Sequence, residues 1–222
     1  MKILVVAATE LEVKGLLKEP AETGVPHRLF DVSENSVDVL ITGVGAVPTA
    51  FCLARFVEDY DFIINVGIAG SYSSNISINQ VVVVDWDCFG DYGIDNNGHF
   101  ISLSEVGLAD ASSNVNNLSN PWLKKNDIPE YLVKVKGITL GTASGSEQSI
   151  GKIKQLWNPD IETMESAAVF YVCLLLNKPF ICLRAISNFV ELRDKSKWRI
   201  KEALDNLNTE VIKFISSRIE II

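Results

Sequence analysis

Apolar residues along the chain gather into short, nearly continuous runs: KILVVAA (2–8), VDVLITG (37–43), DFIINVG (61–67), QVVVVDW (80–86), YLVKVKGITLG (131–141) and FICLRAIS (180–187). Runs that are apolar at consecutive positions and rich in Val and Ile suit strands covered on both faces, as in a mostly parallel sheet. Between them the period changes to that of a helix. Residues 46–59 carry Pro48 near the start, where its missing N–H does no harm, and Phe51, Leu53, Ala54 and Val57 behind it. Residues 164–177 repeat Met164, Ala167, Ala168, Tyr171, Val172 and Leu175 at helical spacing. From Ser196 to about Ile219, a stripe of Ile200, Leu204, Leu207, Val211, Phe214 and Arg218 predicts a long amphipathic helix that covers the sheet. The stretch 107–129, with Ser112, Ser113, Asn114, Asn116, Asn117, Ser119, Asn120 and Pro121, is the most loop-like. No repeat and no linker interrupts the pattern. It predicts an α/β fold, a single three-layer domain over residues 1–222 with a central sheet and flanking helices.

In such sheets ligands bind beyond the carboxyl ends of the strands. Here those ends carry small or polar residues: Thr42-Gly43-Val44-Gly45, Gly67-Ile68-Ala69-Gly70-Ser71, Gly141 to Ser146, and Ser187-Asn188. A turn explains any one of them, but together they point to a pocket that a ligand approaches closely. GVGAV (43–47) lacks the third glycine of a dinucleotide fingerprint, and no GxxxxGK[ST] is present. Phosphate binding and dinucleotide-dependent redox chemistry therefore find little support. Glu12 and Glu165 are the candidate functional carboxylates. Each stands at a helix start, where macrodipole complementarity is the ordinary explanation. Glu165, however, opens an apolar, alanine-rich helix, and a buried carboxylate needs a specific polar partner or a function.

Composition narrows the function classes. Of the 222 residues 47% are hydrophobic and 22% charged, and the net charge is −8, which argues against nucleic acid or an anionic membrane as partner. VVVV (81–84) and YVCLLL (171–176) are too short to cross a bilayer. The start, MKILVVAATELEVKGLL, is broken by Glu10, Glu12 and Lys14 and lacks a small-residue cleavage site, so it reads as strand and helix. Cys52, Cys88, Cys173 and Cys182 form no CxxC and read as buried reduced thiols. The expectation is a soluble cytoplasmic protein. His27 and His99 are too few for a triad or metal site, and HExxH and GxSxG are absent, so neither a metal nor another cofactor is expected. Trp157 and Trp198 are assigned no role.

ELEV, TGVGAV, INVGIAG, ETMESAA and LRAISN, in that order and spacing, resemble the nucleoside phosphorylase/nucleosidase family. The resemblance runs over roughly residues 1–215 and is to the methylthioadenosine/S-adenosylhomocysteine nucleosidase branch. RAISN, then V-x-x-R-D and a tryptophan near the last helix, looks closest to the futalosine hydrolases within it. The resemblance implies a nucleoside phosphorylase-like fold with a mixed central sheet, a purine nucleoside as substrate, no cofactor, and a homo-oligomer whose partner chain completes the sugar side. It implies that Glu12 activates the attacking water, Met164 packs on the ribose, and Glu165 bonds the ribose hydroxyls. Ser187 and Asn188 would face the base, with Ile68, Ala69 and Gly70 alongside sugar and base. Arg184 matches an arginine near the site, often salt-bridged to acids, with a structural role as open as a catalytic one.

Cleaving an N-ribosidic bond passes through an oxocarbenium-like sugar, which nearby carboxylates stabilise. Asn188 departs from the adenine-releasing relatives, which the resemblance gives an aspartate there. An amide offers a donor and an acceptor but no acid. Its NH₂ suits a 6-oxo group, so hypoxanthine fits better than adenine. The implied reaction is hydrolysis of futalosine in menaquinone biosynthesis. Methylthioadenosine/adenosylhomocysteine cleavage, inosine phosphorolysis and a non-catalytic nucleoside-binding member stay open. TGVGAV and GIAGS hold no arginine for a phosphate dianion, which favours water; only Arg28 and Arg55 lie in the first part of the chain outside them.

Overall fold

The computed structural model describes residues 1–32, 34–109, 114–123 and 128–219. Ser112 and Ser113 of the loop-like stretch lie outside the described residues. In chain order the elements are β1 (Lys2–Ala7), α1 (Glu10–Val13), β2 (Pro26–Val32), β3 (Asn35–Ile41), α2 (Ala46–Phe56), β4 (Phe62–Ser71) and β5 (Val81–Asp87). They continue as β6 (Gly93–Asn96), β7 (His99–Ser102), β8 (Leu118–Ser119), β9 (Val133–Thr139), α3 (Glu147–Trp157), β10 (Ile161–Thr163), α4 (Ser166–Leu175), β11 (Phe180–Phe189) and α5 (Ile200–Arg218).

The consecutive apolar residues of the central strands serve two cores, because alternate side chains leave opposite faces of a strand. On β1, Ile3, Val5 and Ala7 pack on one side with Ala203, Leu207, Val211 and Phe214 of α5. Leu4 and Val6 pack on the other with Leu53 of α2 and Ala168, Val169 and Val172 of α4. The same division runs along β11: Ile181, Leu183 and Ala185 face the α5 side, and Phe180, Cys182 and Ile186 face α4. The predicted stripe of the last helix is the face it buries. All four cysteines are buried and free. No described helix is long and apolar enough to cross a membrane.

The sheet is mixed, in the order β10-β9-β5-β11-β4-β1-β3-β2. β1 is parallel to β3 and β4, and β4 to β11, whereas β5 runs antiparallel to β11. β10 pairs with β9 and also, antiparallel, with the far end of β4, so β4, β11, β5, β9 and β10 curl into a closed ring.

Three expectations need correcting. β11 does not end in its polar pair; it continues past Ser187 and Asn188 to Phe189, with a register shift against β4 between Ile186 and Asn188. A bulge of this kind re-aims side chains without ending the pairing. Ile68, Ala69 and Gly70, past the end of the 61–67 run, likewise lie on β4, because β10 pairs with Gly70 and Ser71. β10 is only three residues long, too short for a pattern to announce it. Finally, α4 starts at Ser166, so Met164 and Glu165 precede it, with Glu165 as its N-cap.

Candidate active site

A cavity of about 350 Å³ opens at the carboxyl ends of β1, β4 and β11. That lies at the lower end of the range for small-molecule pockets. Glu12, Ile68, Ala69, Gly70, Met164, Glu165, Ser187 and Asn188 all line it. Arg184, of the residues singled out from the sequence, does not.

Glu12 is placed by the turn from β1 into α1. Its Oε2 accepts from the Thr9 N–H (2.9 Å) and Thr9 Oγ1 (3.3 Å), which is the return arm of a capping box, and its Oε1 accepts from the Ile68 N–H (3.3 Å). The helix-start explanation and the site placement therefore hold together. Burial raises Glu12 above the usual carboxylate range, against the lowering pull of the Thr9 N–H; Glu165 adds to the rise and Arg184 opposes it. Gly67 makes the room: a Cβ there would stand 2.8 Å from Glu12 Oε1 and 3.6 Å from Arg184 Cζ. The Glu12 carbonyl accepts from Asn208 Nδ2 of α5 (3.1 Å), tying the short helix to the long one.

Glu165 comes to the same cavity from the other core. Its Oε1 accepts the Gly45 N–H at 2.9 Å, and Gly45 (φ 102°) is the N-cap of α2. The glycine turn considered as a phosphate cradle thus holds a carboxylate of its own chain. Met164 sits beside it, half-buried.

At the opposite wall, Ser187 Oγ donates to Asn188 Oδ1 (2.8 Å) and reaches the Ala69 carbonyl (3.3 Å), and Asn188 Nδ2 donates to the Phe189 carbonyl (2.9 Å). Asn188 keeps one N–H and one lone pair for a ligand. Gly70 is its partner on β4, and a Cβ there would lie 3.3 Å from Asn188 Nδ2 and 2.8 Å from Val190 Cγ2.

Arg184 lies beneath the cavity, 1% exposed. It donates to Asn65 Oδ1 (2.5 Å) and to the Leu183 carbonyl (2.9 Å), and its Nε has no partner. It makes none of the ion pairs among the described residues, unlike the salt-bridged arginine the resemblance implied. Its charge reaches Glu12 as a field across Gly67.

Some lining residues were missed. Glu162, 7% exposed, accepts from Tyr72 Oη (2.5 Å) and from the Ser144 N–H (2.8 Å), and so pins the 141–146 loop. An acid between Ile161 and Thr163 was the available signal. Trp198 and Arg193 also line the cavity, with the Arg193 guanidinium 5.6 Å from the Trp198 ring centre. Ser146 and Ser149 instead cap α3, Ser146 exposed and Ser149 half-buried. Arg28 pairs with Asp31 and Asp38 at the sheet edge, and Arg55 reaches the Gly24 carbonyl at 3.4 Å; neither lines the cavity. His27 and His99 lie outside it too.

The family described as the phosphorylase superfamily matches residues 2–219. The chain is similar to the futalosine hydrolase of Thermus thermophilus, with 28% identity over 180 residues, 80% of each chain. It is similar to the 5'-methylthioadenosine/S-adenosylhomocysteine nucleosidase of Buchnera aphidicola, with 27% identity over 201 residues, 87% of this chain and 85% of that one. Among solved structures, the native futalosine hydrolase of Helicobacter pylori superposes with a TM-score of 0.80 at 15% identity, over 97% of both chains. The mixed sheet with flanking helices is the fold those enzymes share.

Proposed function

The chain belongs to the phosphorylase superfamily, and from that premise we propose that it is a nucleosidase hydrolysing the N-ribosidic bond of futalosine to hypoxanthine and dehypoxanthine futalosine. The whole chain acts as one nucleosidase domain in menaquinone biosynthesis, in the cytoplasm and without a cofactor. The observation that carries the choice of base is Asn188, whose remaining N–H and lone pair meet the O6 and the protonated N7 of a 6-oxopurine. An adenine would set its amino group against that N–H, leaving buried donors opposed, and such mismatches discriminate strongly.

Glu12 takes a proton from water, the water oxygen bonds to the anomeric carbon, and the C–N bonding pair leaves with the base, which takes up a proton at N7 from solvent. A carboxylate raised by burial is a better base near neutrality than an ordinary one, and a placed base contributes on the order of 10²–10⁴-fold. Glu165 bonds the ribose hydroxyls while Met164 packs on the ring, and the two carboxylates stabilise the positive charge that develops on the sugar. Ile68, Ala69 and Gly70 form the wall along sugar and base, and Arg184 supports Glu12 from below. Water is favoured over phosphate because Arg28 and Arg55, the arginines considered for a dianion, stand away from the cavity. Arg193 does line it, but is exposed and lies against Trp198, outside the glycine turn at Gly43–Gly45. The protein works as a homo-oligomer: Val47 and Phe51 of α2 are 73% and 64% exposed next to Val44 at the cavity mouth, an apolar face that suits a second copy.

Cleavage of methylthioadenosine or adenosylhomocysteine is the second reading, supported by relatives of equal similarity. The test is a panel of futalosine, inosine, methylthioadenosine and adenosylhomocysteine, assayed for free base with and without phosphate. Hypoxanthine from futalosine, independent of phosphate, is expected; efficient adenine release, or ribose 1-phosphate, overturns the assignment.

A further inference from the structure

Directly behind the Met164–Glu165 pair lies a polar cluster that none of the chemistry above uses. Asp87, at the end of β5, is fully buried, as are Thr139 of β9 and Ser166 of α4, and Thr163 of β10 is nearly so. Ser166 Oγ donates to Asp87 Oδ2 (2.5 Å), Thr139 Oγ1 donates to Asp87 Oδ1 (3.1 Å), and the Cys88 N–H donates to Oδ1 (2.7 Å). Thr163 Oγ1 lies 2.6 Å from Ser166 Oγ and 3.1 Å from Thr139 Oγ1. The Ala167 N–H, in the first turn of α4, donates to Thr139 Oγ1 at 2.8 Å. No cation stands within ion-pair distance of Asp87 among the described residues. The space is tailored to it, since a Cβ on Gly137 would lie 2.6 Å from Oδ2.

The sequence of the segment is Thr163-Met164-Glu165-Ser166. Its outer residues turn their hydroxyls into the cluster, and Met164 and Glu165, with Thr163 beside them, line the cavity. We propose that Asp87 is a positioning residue: through Ser166 and Thr139 it locks the turn from β10 into α4 and so sets Glu165 against Gly45 and the ribose site. This inference rests on the ribose-binding role proposed for Glu165.

Chemistry explains why the anchor is a carboxylate. Each hydroxyl has one proton to donate, so three of them bonded to one another need an acceptor that gives nothing back. An ionised carboxylate meets that need and fixes every hydroxyl rotor in one direction. An amide presents an N–H to one hydroxyl and reverses part of the ring. Thr139 adds a second requirement, because its oxygen must also accept the Ala167 N–H that starts the helix.

The test measures kcat, KM and thermal midpoint for Asp87→Asn, Thr139→Val and Thr139→Ser, with Glu165→Gln as reference, on the nucleoside the wild type cleaves best. Misplacing a reacting group by about 1 Å costs on the order of 100-fold. Asp87→Asn and Thr139→Val are therefore expected to lose about 10- to 100-fold in kcat, with KM changed much less. Thr139→Ser, which keeps the hydroxyl, stays near wild type. Full kcat in Asp87→Asn, or equal behaviour of the two Thr139 variants, overturns the proposal, whatever the midpoints do. If the wild type cleaves no nucleoside in the panel, the nucleosidase reading fails separately. Crystal structures of wild type and Asp87→Asn then decide the positioning role. Loss of the Glu165–Gly45 bond in the variant supports it, and its retention overturns it.

Discussion

The floor of the cavity is held by bonds between distant parts of the chain, whereas among the described residues the side chains of its roof, residues 191–198, bond near neighbours. On the floor, Glu165 reaches Gly45 across 120 residues, Ser166 reaches Asp87 across 79, and Glu12 reaches Ile68 across 56. On the roof, Ser196 bonds Asp194, Lys197 bonds Glu191, and Arg193 lies over Trp198. Residues 191–197 are all exposed. Bonds between distant segments persist only while the whole fold persists, and short exposed segments open at little cost. On the function proposed above, the floor holds the reacting groups still, and the roof lets a nucleoside in and a base out.

The hardest test of this division is Glu12→Gln. The amide keeps the capping-box contact with Thr9 but cannot take a proton from water, so kcat is expected to fall by about 10²–10⁴-fold while hypoxanthine still binds. Rapid-quench turnover and calorimetric binding measure the two. A loss under tenfold sinks the role of Glu12 as base and removes the strongest reason to set floor against roof.

Rigid positioning also costs stability, and Asp87 shows where. Burial pushes its carboxyl up to about 6 from an ordinary 3.8, against the lowering bonds of Ser166, Cys88 and Thr139 and the field of Arg184. A folded-state value above the unfolded one means that the native state binds the proton more tightly. Its favourable contribution is complete below pH 3.8 and is lost as pH rises through about 6. Between pH 4 and pH 7 the difference in unfolding free energy should move about 2 kcal/mol in favour of Asp87→Asn, because each tenfold gain in proton affinity is worth about 1.36 kcal/mol and part of the change already lies below pH 4. Glu12, also raised by burial, tilts both proteins the same way and cancels in the difference. Urea titrations across that range measure it. Parallel curves for wild type and variant contradict a charged, desolvated Asp87.

Asn188 is tied to the floor by the pairing of β11 with Gly70 of β4, although its side chain bonds only Ser187 and Phe189, and its replacement should change which substrate is cleaved more than whether one is. Asn188→Asp restores an acid facing the base. The ratio of kcat/KM for methylthioadenosine over futalosine is expected to rise about 10- to 100-fold, the range a reversed buried hydrogen bond supports. An unchanged ratio moves base selection elsewhere in the cavity, with Glu162 the first place to look.

How much of this the sequence carried follows from the range of each interaction. β1, β4, β5 and β11 were legible because each fills two cores and must be apolar throughout. The α5 stripe was legible because one face meets one core. The eight residues named as lining a site do line one cavity, since strand ends and helix starts are local features with local signatures. What stayed hidden depends on pairing across the chain. β10 has three residues, and only its double pairing with β9 and β4 closes the ring and keeps Gly70 in a strand. Glu162 and Asp87 looked like ordinary acids near strand ends until Tyr72, Ser144, Ser166 and Thr139 were brought to them. The roof was legible only as the V-x-x-R-D and tryptophan motif of the resemblance, because its exposed residues obey no period.

The smallest expected effect lies on that roof. Trp198 is half-buried, lines the cavity, and packs with Arg193. Trp198→Ala removes apolar surface from the lid and nothing from Glu12, Glu165 or Asp87. KM is expected to rise severalfold and at most about tenfold, the size of a partly desolvated aromatic contact, with kcat within about twofold. The thermal midpoint should hold within about two degrees, since substitutions away from buried networks stay within about 0.5 kcal/mol. Should kcat fall as far as it does in Glu12→Gln, the roof takes part in the chemistry and the division between holding and admitting fails. A change confined to KM fixes the boundary between the two regions at Asn188, the last side chain of the floor before the chain turns outward.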